Sequence, residues 1–102
     1  MAVRIVRLLA GEEILGEVDV VEDRLRIVNP TIIMAIPNPK THKVDVQMAP
    51  FTPLSAEKHV DLSPGHVLFM YEPVLDIVNK YNSMYGSGII LPNTGLGVPG
   101  LG

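Results

Sequence analysis

Arg24 and Arg26 stand two apart in the stretch EDRLRIV. On an extended backbone that spacing puts both guanidiniums on one face. A guanidinium pairs with phosphate and stacks on nucleobases, so the pair has the chemistry to hold a nucleic-acid strand. The same side chains would also serve to neutralise Glu22 and Asp23 on a solvated strand surface, and residue types alone leave both readings open. Lys40 and Lys43 supply a second pair of cations, but on a loop, where lysines are ordinarily solvated.

Other chemistry is thinly represented. His42, His59 and His66 have no metal-ligand spacing, whereas a zinc site needs four ligands, or three and a water. Six acids and no base lie between Glu12 and Asp23, but strand alternation divides Glu12, Glu13, Glu17 and Asp19 between two faces. They read as an acidic surface rather than a cation site, and such a surface repels nucleic acid. Gly11 and Gly16 are not a phosphate loop, because Glu17–Val18 follows where Lys-Ser/Thr is required. The run LPNTG, Leu91 to Gly95, has the letters of a sortase sorting signal without a secretory leader or a following anchor, and is read as chance. No serine lies in a nucleophile elbow and no triad can be assembled. The expectation is a protein without catalysis, cofactor or metal.

The elements that must position these residues are mostly strands. Residues 3–9 are apolar and β-branched, and Ala10–Gly11–Glu12 reads as a turn. From Glu12 the period is two: Ile14, Val18 and Val20 point one way, and Leu15, Glu17, Asp19 and Val21 the other. Gly16 inside this strand marks a bend, a bulge or close backbone approach. Glu22–Asp23 turns the chain into a third strand, in which Leu25 and Ile27 alternate with the arginines. Pro30 cannot donate to a ladder and predicts a bulge or an edge position. Pro37 to Lys40 reads as a hairpin loop, and Val44, Val46 and Met48 as a fourth strand closing a meander. Ala49 to His66 is loop-like, with a short strand at His59–Leu62. Val67–Tyr71 is a strand, apolar on both faces and placed at a sheet edge. Pro73 opens a helix that carries Val74, Ile77, Val78, Tyr81 and Tyr85 on one stripe and stops at Gly86. Ile89–Leu91 would form a last short strand, and residues 91–102, with four glycines and two prolines, a tail that moves freely or docks on a partner.

The opening third resembles the first signature of the Sm and Sm-like RNA-binding proteins. That signature runs strand, Gly, a few residues, Gly, strand, acidic turn, Asp-x-Met-Asn, strand. Gly11 and Gly16 fall on its glycines, Val18 on the apolar residue that follows, and Asp23 on the turn acid. Leu25 stands in place of the methionine and Arg26 in place of the base-binding asparagine. The second signature, a basic pair leaving the fourth strand, is not found; HVLFMYEPV is the nearest segment. As a whole the chain is similar to short, cysteine-free Sm-like proteins of marine cyanophage type. The resemblance implies a small, strongly bent antiparallel β-barrel over residues 1–90, with one helix near 73–85, and residues 91–102 as a tail. It also implies a homo-oligomeric ring of five to seven subunits joined edge to edge, binding single-stranded RNA or DNA; the candidate contacts are Asp23 and Arg26 at motif positions, Arg24 beside them on the same strand, and, from residue type alone, Lys40 and Lys43. Its alternative is a structural or adaptor ring, as in phage assembly, that binds no nucleic acid.

Totals bound these expectations. At 102 residues the chain is one domain that buries roughly 60% of its unfolded surface. The apolar share of 47% excludes disorder by composition, and with no tryptophan the core falls to Val, Ile, Leu and Met. There is no cysteine, so disulfides and thiol chemistry are excluded, in keeping with a reducing, cytoplasmic setting, a bacterial host's if the chain is phage-encoded. Arg4 and Arg7 interrupt the first apolar run, which is unlike a signal peptide, and no run reaches the ~20 residues of a membrane span. The net charge of −3 argues against broad phosphate binding; any nucleic-acid site must be local and repeated.

Overall fold

The computed structural model of the chain describes residues 2–86. The expected strand at 89–91 and the tail at 91–102 lie outside them. The described residues up to Tyr71 form one unit and those from Glu72 another. In the first unit the strands are β1 Ala2–Leu8, β2 Glu13–Val21, β3 Arg24–Asn38, β4 Lys43–Pro50, β5 His59–Leu62 and β6 Val67–Tyr71. They build one antiparallel sheet in the order β4-β3-β2-β1-β6, with β5 also pairing β3. The expected meander is therefore present, and β6 sits at the sheet edge as expected. The barrel is not: among the described residues the sheet does not close, since β6 pairs with β1 and no ladder joins it to β4 or β5.

Gly16 explains how so long a strand as β3 can bend. A Cβ at this position would collide with Ile27 Cγ2 and sit 2.8 Å from the carbonyl oxygen of Val28. Only glycine lets the two backbones approach this closely. Opposite it the register slips: Leu15 pairs with Thr31 but Glu17 with Val28, so Asn29 and Pro30 together face one glycine. This is the bulge that Pro30 predicts, and Asn29 takes the left-handed conformation it needs (φ 50). The bulge also divides the outer edge of β3. Before it Leu25–Val28 pair with β5, and after it Thr31–Asn38 pair with β4. Asn29 N donates to Lys58 O, and Pro30 O accepts from Phe51 N at 2.8 Å, stitching the changeover.

One face of the sheet carries the main core, Val6, Ile14, Leu25 and Ile27, with Val18 and Ile32 packed on it. On the other face Ile5, Leu15 and Thr31, one register row across β1, β2 and β3, are buried too. Val20 departs from expectation. It is 69% exposed, because β2 and β3 stay paired out to Val21 and Arg24, past the limit of the core. β3 runs on to Asn38, so the hairpin loop occupies residues 39–42 rather than 37–40.

The second unit is described by α1, Leu75–Met84. Val74 is the extended residue before its first turn and is largely exposed, so Pro73 precedes the helix instead of opening it. Ile77, Val78, Tyr81 and Tyr85 share the less exposed side, with Tyr81 and Asn79 buried. The Tyr81 and Tyr85 rings lie 5.0 Å apart. Gly86 (φ 68) follows the last turn, as expected.

Candidate nucleic-acid interface

The hairpin that carries Asp23 and Arg24 is tight. Val21 pairs with Arg24, leaving Glu22 and Asp23 as a two-residue turn. Glu22 adopts φ 58, the conformation that glycine usually supplies at the first turn position of such hairpins. Pro64–His66 form a single 3-10 turn leading directly into β6. Between this turn, β6 and the hairpin lies a groove of about 430 Å³, lined by Val20, Asp23, Arg24, Leu25, Pro64, Val67 and Met70. Its lining is mostly apolar, and the charged members are Asp23 and the exposed Arg24. The groove can take a flat apolar group and hold an attached anion on the guanidinium.

Arg26 is differently occupied. It pairs across the ladder with Asp61 of β5. Its Nε donates to Asp61 Oδ1 at 2.8 Å and its Nη2 to Oδ2 at 3.0 Å, a bidentate bridge. The Arg26 hydrogen bonds hold the Asp61 carboxyl below its usual range, and that bond in turn raises the guanidinium. Asp19, on β2, is the register partner on the other side. Arg26 is thus the middle of an acid–base–acid row, and the acids beside it are Asp61 and Asp19, not Glu22 and Asp23.

Lys40 lies in the turn after β3 and Lys43 opens β4, both exposed. Some fourteen residues of β3, roughly 45 Å of extended chain, separate that turn from Arg24. The structure therefore brings Asp23 and Arg24 together and sets the two lysines at the opposite end. His42 is exposed in the lysine-bearing turn, His59 Nε2 lies 3.4 Å from Glu57 Oε2, and His66 is exposed in the 3-10 turn. Among the described residues no group of three or more His, Asp or Glu is placed to hold a metal.

Sequence reasoning missed the far wall of the groove, Pro64, Val67 and Met70, and the bridge from Asp61. The wall carried no signal, since nothing in the residue types says that the 64–66 turn meets the 22–23 turn. Asp61 had a faint one, an acid inside the expected short strand at His59–Leu62. A second polar knot lies across β1, β2 and β6. Tyr71 donates to Glu13 Oε2 at 2.8 Å, and Arg7 Nη1 is 3.5 Å from the same oxygen. Burial, aided by the Glu13 carboxylate, pushes the Tyr71 phenol up to about 12.

Compared with protein-family models and with curated proteins, the chain matches none.

Proposed function

We propose that the chain is a non-catalytic, Sm-like, ring-forming protein that binds single-stranded nucleic acid, RNA in the first instance. One observation carries this reading: the groove beside the β2–β3 turn combines an apolar floor with an exposed guanidinium at its rim. A base would lie against Val20, Leu25 and Met70, and its phosphate would meet Arg24. Arg26 would contribute by holding β5 and by partial charge, with its guanidinium shared with Asp61. Lys40 and Lys43 are too far along β3 to join the same site. The ring reading is supported by the sheet order, which puts the short apolar strand β6 at a border of the described sheet, where a copy of the chain can pair. Repetition around a ring would offset the unfavourable charge of −3.

The test is anisotropy of labelled single-stranded RNA and DNA oligonucleotides with wild type and Arg24→Ala. Binding that weakens about tenfold, with a shallower salt dependence, supports the site. Equal binding by both proteins removes it, and no binding by either removes the nucleic-acid reading. The runner-up is a structural or adaptor oligomer. It is favoured by the neutralisation of Arg26 and by the exposed apolar edge of Leu68, Phe69 and Met70. Co-purification with a structural protein, without excess nucleic-acid absorbance, would select it.

A further inference from the structure

The groove beside the β2–β3 turn has two charged lining residues, and they are neighbours in sequence, Asp23 and Arg24. The rest of its lining is apolar. The guanidinium suits a phosphate, but the carboxylate repels one. In a groove that takes a nucleic-acid strand, Asp23 is a cost unless it meets hydrogen-bond donors.

Nothing in the described fold engages it. Asp23 is exposed, and among the described residues its carboxylate makes no hydrogen bond or ion pair. It is also held in place. Val21 pairs with Arg24, so Asp23 is the second residue of a two-residue turn, whose backbone has little freedom. The groove therefore presents a fixed pair of acceptor oxygens at the rim of an apolar floor of about nucleobase breadth, within a volume of about 430 Å³.

A carboxylate accepts hydrogen bonds and donates none, through two oxygens side by side. That selects among the bases. Guanine carries two adjacent donors on its Watson–Crick edge, N1–H and the N2 amine, and they match the two oxygens. Adenine and cytosine set one amine beside a ring-nitrogen acceptor. Uracil sets one N–H between two carbonyls. Each of these three places an acceptor against a carboxylate oxygen, which leaves that oxygen unpaired and repelled.

We infer that the groove is specific for guanine in a single strand. The base lies on Leu25 and Met70, Asp23 accepts from N1–H and the N2 amine, and Arg24 holds the phosphate. This rests on the nucleic-acid reading of the same groove and adds the identity of the base and the role of Asp23.

The test is anisotropy on the full chain with short labelled oligouridines that differ at one central base: guanine, hypoxanthine, adenine, cytosine or uracil. One guanine per strand prevents quadruplexes. The guanine strand should bind about tenfold more tightly than the adenine, cytosine and uracil strands. Hypoxanthine keeps N1–H but lacks the amine, and should fall between. Asp23→Asn, a substitution that suits a turn, should lose the preference and bind the adenine, cytosine and uracil strands more tightly, since a charge that repels phosphate has gone. Equal binding of all five strands by wild type overturns the guanine assignment and leaves the Arg24 groove standing. A guanine preference that survives in Asp23→Asn overturns the role of Asp23. Wild type that binds none of the strands removes the nucleic-acid reading and this inference with it. The base series is read on wild type, so it decides the specificity even if the variant misfolds by circular dichroism.

Discussion

A methyl group at position 16 is the smallest change that should disturb this fold. The Cβ of Gly16→Ala meets Ile27 Cγ2 and the Val28 carbonyl, and a buried backbone cannot withdraw cheaply. We expect a loss of about 1–3 kcal/mol, read as a lower denaturant midpoint. Position 22 predicts the opposite sign. Glu22 holds φ 58, which costs a side-chain-bearing residue about 1–2 kcal/mol. Glu22→Gly should therefore stabilise by roughly 0.5–1 kcal/mol after the entropy cost of glycine; a drop in melting temperature would mean that the turn needs the carboxylate. Asp61 supplies a pH signature. Its folded-state pKa is lowered by Arg26, so the stability it contributes is present above the ordinary carboxylate value and is lost as pH falls through the folded value. The stability gap between wild type and Asp61→Asn should shrink as pH falls from about 6 to about 3. A gap that stays constant would assign the effect to packing.

At the scale of elements, the bulge divides β3 between β5 and β4. The bulge at Asn29–Pro30 was legible in the sequence, because a proline in a strand and a glycine in its neighbour have few other uses. So were the meander and β5, from period and turn residues, and the edge position of β6, from a strand apolar on both faces. The offset between β2 and β3 was not. Strand alternation locates β3 and β4 but does not say that β2 begins opposite Ile33, so that Met34–Asn38 pair with β4 and not with β2. The Arg26–Asp61 bridge was hidden for a related reason: β5 has four residues after an irregular stretch, and its register against β3 cannot be read from type. Pro73 misled by two residues because proline suits the residues before a helix as well as its first position. One prediction belongs here. Since Met34–Asn38 pair with β4 but not with β2 and most of residues 34–47 are exposed, joining Met34 to Gln47 through Asn-Gly should move the melting temperature by no more than a few degrees. Loss of cooperative unfolding would show that residues 34–47 are part of the core.

The first unit is an open antiparallel sheet with β6 at one border, and the chain carries a net charge of −3. An apolar strand at a border is a cost in a monomer and a contact in an assembly. The charge sets the scale of any nucleic-acid binding: it must come from repeated local sites such as the Arg24 groove, and it should fall steeply with salt. No described helix is long and apolar enough to cross a membrane. Self-association is the claim on which the functional reading stands, and its most direct measurement is the light-scattering mass of the purified chain across a hundredfold range of concentration. A particle several times 11.1 kDa that persists on dilution is the result expected; a mass of 11.1 kDa at every concentration would contradict it.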